Sequence, residues 1–199
     1  MEFGMADAVL QRKDEVLAAA ERLFAQRGFH ATSVRDIAEA LQIKGGSLYA
    51  HVESKDDILW ELVSAAADRF FAAVKPIVES DVVTIEKIRR CVAAHVGVIT
   101  SNLSAAAVYS TEWRYLSEGR RRQFADRRRE YEQVFRRLIS QGIREGTLAD
   151  VDEKFAALLI LSSMNWVYQW YRTDGPMTPE EIARTLTGML LNGLKRVGS

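Results

Sequence analysis

The 199-residue chain has one cysteine, Cys91, and three prolines, and its 27 basic and 27 acidic residues cancel. A single cysteine excludes an internal disulfide and fits a reducing compartment, here the cytoplasm. Three prolines leave few points where a helix must break, and abundant Ala, Leu, Glu and Arg predict an all-α fold. No apolar run approaches the roughly 20 residues needed to cross a bilayer, so no membrane partner is expected. The opening MEFGMADAVLQRKDE lacks a basic segment followed by an apolar one, so no signal peptide is expected. Zero net charge excludes a protein that holds nucleic acid by bulk attraction; DNA contacts must be local and doubled by dimerisation. Enzyme signatures are missing as well: there is no phosphate-binding loop, dinucleotide fingerprint or nucleophile elbow. His30, His51 and His95 are scattered. Cys91 and His95 lie i,i+4 on one helix, but two ligands without further partners make a poor metal site, and both read as buried core. No catalytic residue, metal or resident cofactor is expected, so the chain is not read as an enzyme.

What is present begins with Thr32–Lys55, TSVRDIAEALQIKGGSLYAHVESK. A first helix over residues 12–29 carries Val16, Ala20, Leu23 and Phe24 on one face, with Gly28 as its C-cap. Thr32 or Ser33 N-caps a second helix, and Asp36, three residues after Ser33, is placed to complete a capping box. Gln42 and Ile43 make a turn, and a third helix follows over residues 44–51. Ile37, Ala38, Leu41 and Ile43 mark a buried side; Lys44, Ser47, Tyr49 and His51 mark an exposed one. This layout suits a helix-turn-helix whose last helix enters a DNA major groove. Ser54 caps a fourth helix, expected to end at Pro76. Five more helices are expected over residues 83–101, 104–116, 117–145, 152–172 and 178–197. The division is thus a DNA-binding domain, 1–54, and a ligand-binding and dimerisation domain, 55–199, of about nine helices in all.

Leu23-Phe24, Arg27-Gly28-Phe29, Ala31-Thr32-Ser33-Val34, Ile37-Ala38, Ser47-Leu48-Tyr49, His51 and Ser54-Lys55 together resemble the DNA-binding domain of TetR-family transcriptional regulators. The resemblance implies a homodimer of helical subunits that binds a double-stranded DNA operator, with an effector held in a divergent C-terminal domain. Two departures stand out. The inter-helix turn, often glycine in that family, has Gln42, and the usual Lys-Gly-Ser at the recognition helix reads Gly45-Gly46-Ser47, with the lysine at Lys44. The hydroxyls of Thr32 and Ser33 suit a phosphate at a helix N-terminus, as does Lys55 at the next one. Tyr49 and His51 are candidates for backbone phosphates, with packing the alternative for Tyr49. Arg35, Lys44, Gly46 and Ser47 are candidates for the groove, and Gly45 lets backbone approach phosphate closely.

The basic charge sits elsewhere. Residues 1–53 hold six basic against eight acidic residues, whereas residues 117–146 hold nine arginines against five acids. Two readings of the triplets Arg120–Arg122 and Arg127–Arg129 stay open: a solvated face with i,i+4 pairs, or guanidinium forks for an anionic effector. Tyr109, Trp113, Phe124, Tyr131, Trp166 and Trp170 would supply apolar walls beside Arg120, Arg121, Arg127 and Arg128; core packing is the alternative. The run from Asn165 to Arg172 is similar to TetR-family members that respond to acyl-CoA thioesters, which implies a repressor released by such a ligand. A ligand-independent dimeric DNA binder and a regulator of a non-CoA apolar effector are the rivals. Trp166, Ile182, Leu186, Met189, Leu190 and Gly193 are expected at an isologous dimer interface built from the last helices.

Overall fold

The computed structural model describes the backbone of residues 2–43, 48 and 52–194, and the side chains of residues 13–43, 48 and 52–192. Every element among them is helical, as expected. They are α1 (Glu2–Arg27), α2 (Val34–Ala40), α3 (Lys55–Glu79), α4 (Thr84–Ser101), α5 (Leu103–Thr111) with a following 3-10 turn (Glu112–Tyr115), α6 (Glu118–Arg144), α7 (Glu153–Asn165), α8 (Val167–Trp170) and α9 (Pro179–Leu194). They form two compact units. The first joins Met1–Ala66 to Ser104–Phe124, and the second joins Ala67–Leu103 to Ala125–Ser199. The unit boundaries fall inside α3, after the first residue of α5 and inside α6, while the sequence division at 54/55 coincides with the start of α3. Among the described residues no single helix is long and apolar enough to cross a membrane.

In the first unit, α1 packs against α2. Val16, Ala20 and Phe24 on α1 and Ile37 and Ala38 on α2 are buried, as their helical spacing predicts. Gly28, at φ +84°, ends α1 by donating its N–H to the Phe24 carbonyl at 2.9 Å. The capping box forms as read: Ser33 Oγ accepts from Asp36 N at 3.1 Å, and Ser33 N donates to the Asp36 carboxylate at 2.6 Å. Leu48 is helical and fully buried.

The stop of α2 explains the departure at Gln42. Ile43 N donates to Ala38 O and Gln42 N to Glu39 O, both at 3.0 Å, which is the paired pattern of a Schellman turn. That turn needs its middle residue in the left-handed region, and Gln42 sits there at φ +56°. The same bonding recurs at Gly146, at φ +71°, where Thr147 N reaches Gly142 O at 2.9 Å. One turn is thus built with glycine and the other without. We expect Gln42→Gly to stabilise the head by about 0.5–1 kcal/mol, since relief of the left-handed strain exceeds the entropy glycine adds to the unfolded chain. The midpoint of chemical denaturation measures this, and Gln42→Val should shift it the opposite way.

In the second unit, α4 buries Ile88, Cys91, Val92, His95, Val96 and Ile99 and packs on α9, α7 and α8. Phe135, Ile139 and Ile160 are each less than 2% exposed, and each such side chain contributes roughly 1.5–3 kcal/mol. The start of α9 is as read: Pro179 opens it, and Thr178 and Glu181 exchange capping bonds at 2.8 and 3.2 Å.

Three helix bounds differ from expectation. Helix α1 starts at Glu2, well before the periodic residues. Pro76 does not stop α3, which runs on to Glu79. The carbonyl it deprives of a partner belongs to Ala72, and both residues are exposed, so water can satisfy it. The helix expected over 152–172 breaks at Trp166, whose carbonyl accepts from Gln169 N in a tighter three-residue turn, and Tyr171 is already extended at ψ 137°.

Candidate nucleic-acid interface and effector region

The head in the first unit is fastened by residues expected to hold DNA. Thr32 has no exposed surface, and its hydroxyl donates to Gly28 O at 2.9 Å. A buried hydroxyl already spent on a carbonyl cannot meet a phosphate, so Thr32 ties the α1–α2 loop together. Lys55, by contrast, is only half-buried, and two of its three donors are taken. Its Nζ donates to Phe29 O at 2.7 Å and Thr32 O at 2.8 Å and lies 4.1 Å from the centre of the Phe29 ring. Desolvation lowers its pKa, with the Asp36 charge opposing. Lys55 satisfies loop carbonyls and locks the start of α3 to the α1–α2 loop.

Ser33 and Arg35 stay exposed on α2; Ser33 is the cap, and Arg35 pairs with Glu39 at 3.0 Å. Exposed pairs of this kind are weak, so Arg35 can exchange Glu39 for another anion. Lys44, Gly45, Gly46, Ser47, Tyr49 and His51 lie outside the described residues.

The sequence reading missed how residues 112–120 fasten to the head within this unit. Glu112 Oε2 accepts the Phe29 N–H at 2.7 Å. The Tyr115 ring stacks on Phe29 at 6.2 Å and meets His30 edge-on at 4.3 Å. Ser117 donates to Asp56 through N and Oγ at 2.7 and 3.0 Å. Arg120 forks onto Asp56 (2.7 Å) and Asp57 at the first turn of α3. The Asp57 carboxyl is held below the usual range first by the Ser54 hydroxyl and then by Arg120. One sequence signal existed: Glu112 is the first charge after an uncharged stretch from Leu103 to Thr111.

Arg120 is therefore committed to a structural fork. Arg121 is exposed on α6. Tyr109 and Phe124 are buried, and Phe124 meets the Tyr109 ring at 5.5 Å and the Trp113 ring at 5.7 Å, so this cluster is part of the packing of the first unit. The second unit holds the other candidates. Arg127 pairs with Asp68 and lies over the Phe71 ring at 6.0 Å. Arg128 is half-buried, near enough for its charge to lower the His95 pKa. Tyr131 is buried among Phe70, Phe71 and Phe135. Trp166 and Trp170 are 62% and 45% exposed. The ten candidates are thus divided between the units. Ring packing, as well as carboxylates, accounts for several of them. Glu118–Arg122 and Asp126–Arg129 form the local pairs that the solvated-face reading anticipates.

A polar chain runs through the core of the second unit. His95 Nδ1 lies 3.0 Å from the Tyr131 hydroxyl, and Nε2 lies 3.1 Å from Asn165 Oδ1. Its ring stacks on Phe70 at 4.5 Å. Burial, only partly opposed by the Asn165 bond, pushes the His95 pKa down to about 3, so the imidazole is neutral. Burial also pushes the Cys91 thiol up to about 11, which leaves it no nucleophile at neutral pH.

Exposed apolar side chains concentrate on α7 and α9: Phe155 (71%), Leu158, Leu159 and, just after α7, Trp166, with Met189 (72%) on α9. Leu186 and Leu190 are half-buried. Ile182 is corrected: at 1% exposure it belongs to the core of its own subunit. Gly193 lies in α9, beyond the described side chains.

A capped short helix ended by a Schellman turn, clamped to α1 and α3, defines the reading head of a helix-turn-helix regulator. The comparisons agree. Residues 16–62 match the model of bacterial regulatory proteins of the tetR family, and residues 81–194 match the tetracyclin repressor-like C-terminal domain. The HTH-type transcriptional repressor KstR2 of Mycobacterium tuberculosis is 32% identical over 98% of each chain. The solved structure of ketosteroid transcriptional regulator KstR2 from that organism superposes with a TM-score of 0.88 at 30% identity, covering 94% of this chain and 96% of the other. AibR, solved in complex with isovaleryl coenzyme A and operator DNA, gives 0.83 at 27% identity over 90% of this chain and 98% of that one. The chain belongs to the TetR family; it is a DNA-binding regulator of transcription rather than an enzyme.

Proposed function

We propose that this regulator is a homodimeric repressor that leaves its operator when an acyl-coenzyme A thioester binds. The observation that carries the reading is its likeness to AibR, which was captured with isovaleryl coenzyme A and operator DNA. The exposed apolar side chains of α7 and α9 support the dimer, since large apolar side chains grouped on the surface of a polar protein mark an association site. Ser33, Arg35, Lys55 and residues 44–47, 49 and 51 are the proposed DNA contacts, on a head that works in the cytoplasm.

Release needs a ligand that prefers a subunit shape whose heads no longer match successive major grooves; affinity alone is not enough. The contacts of Glu112, Ser117 and Arg120 with the head give a route, because a shift of the 112–120 segment pulls on the Phe29 loop and on the first turn of α3. In a gel shift with promoter DNA, titration with acyl-CoA esters of graded length should abolish the shifted band. A band unchanged by every ester would sink the effector reading in favour of a ligand-independent repressor, whereas release by the free acid alone would point to a non-CoA apolar effector.

A further inference from the structure

The arginines of α6 fall into two groups that the sequence does not distinguish. In its first half, four of the six, Arg120, Arg122, Arg127 and Arg129, meet a carboxylate at hydrogen-bond distance, while Arg121 is exposed and Arg128 half-buried. In its second half this stops. The carboxylate nearest Arg136 is Glu153 at 3.8 Å, beyond a hydrogen bond, and the buried Arg136 Nε has no partner among the described residues. Arg144 donates to the Ser140 hydroxyl at 2.8 Å and not to an acid. Arg137 is exposed and forms no ion pair among the described residues. These three guanidinium groups, with Gln133, Ser140, Gln141 and the one carboxylate Glu153, line a surface pocket of about 410 Å³.

A pocket walled by three cations and neutral donors, with one acid in its lining, is built for a multiply charged anion. Planar guanidinium forks match phosphate oxygens two at a time, and each buried donor left unmade is costly until an acceptor arrives. We infer that the pocket between Gln133 and Glu153 holds the phosphorylated nucleotide half of the effector, with Arg136, Arg137 and Arg144 as its phosphate ligands. This inference rests on the acyl-CoA reading of function and moves the phosphates away from the arginine triplets.

The test is calorimetric titration of the full-length protein with isovaleryl- and decanoyl-coenzyme A, each beside the matching acyl-pantetheine, which lacks the phosphorylated nucleotide. The variant is Arg137→Gln with Arg144→Gln. A charge-matched control carries Arg69→Gln with Arg89→Gln, two exposed arginines of the same unit. The readout is the ratio of coenzyme A to pantetheine affinity, which a fold defect or a damaged acyl site would not lower selectively. We expect the ratio to fall at least about tenfold in the first variant and to hold in the control, since charge-assisted bonds of this strength are lost. An unchanged ratio in the first variant, or an equal fall in the control, overturns the phosphate site and leaves the effector reading standing. If the wild-type protein binds neither coenzyme A ester, the effector reading fails and the inference falls with it.

Discussion

Replacing Phe155 and Met189 together with aspartate should leave each subunit folded, turn the proposed dimer into a monomer and lower operator affinity on the order of a thousandfold or more. Both side chains are more than 70% exposed in the subunit, so neither contributes to its core. At a two-fold interface each substitution counts twice, and four carboxylates would have to lose water against apolar neighbours. A single reading head then has to hold DNA alone, without the second half-site one helical turn away. Light scattering gives the mass, circular dichroism the fold, and a gel shift the affinity. A variant that stays dimeric would place the interface elsewhere. Ile182→Ala is the contrast: because Ile182 packs inside its own subunit, it should lower thermal stability and leave the dimer intact.

Acidification should unfold the second unit through His95. In the folded chain the imidazole stays neutral down to about pH 3, whereas in the unfolded chain it takes a proton near its ordinary value of 6.5. Between those limits the unfolded state binds one more proton than the folded state, so stability falls as pH falls. His95 makes its full contribution above 6.5, and that contribution shrinks by about 1.4 kcal/mol per pH unit below it. At pH 5 the loss is about 2 kcal/mol, a large share of a small domain's stability. Burial and, to a lesser degree, the nearby Arg128 charge favour the neutral ring, and the Asn165 bond opposes them only in part. His95→Gln should start less stable at pH 7 but lose less between pH 7 and pH 5. Urea denaturation at both values checks this, and equal losses in the two proteins would clear His95 of the acid sensitivity.

The sequence by itself determined the helical class, the capping box at Ser33, the Pro179 helix start, the glycine stops and the family. These are local matters: a cap needs only residues three apart, and a helical face only spacing. The family signature sits in one short stretch for the same reason. Tertiary structure alone decided what each charged or polar side chain does. Thr32 carries the composition of a phosphate ligand, yet burial and the Gly28 carbonyl claim it, and Lys55 spends two of its three donors on the Phe29 and Thr32 carbonyls. Glu112 and Arg120 acquire their roles from partners about 60 to 80 positions away, a separation that periodicity cannot report. The nine arginines of residues 117–146 look alike in a string, and only their neighbours separate those already neutralised on α6 from those lining an open pocket. Exposure likewise divided Met189 from Ile182 on one apolar helix. Backbone preference is written in the chain, but the worth of a charge is set by what folding brings beside it.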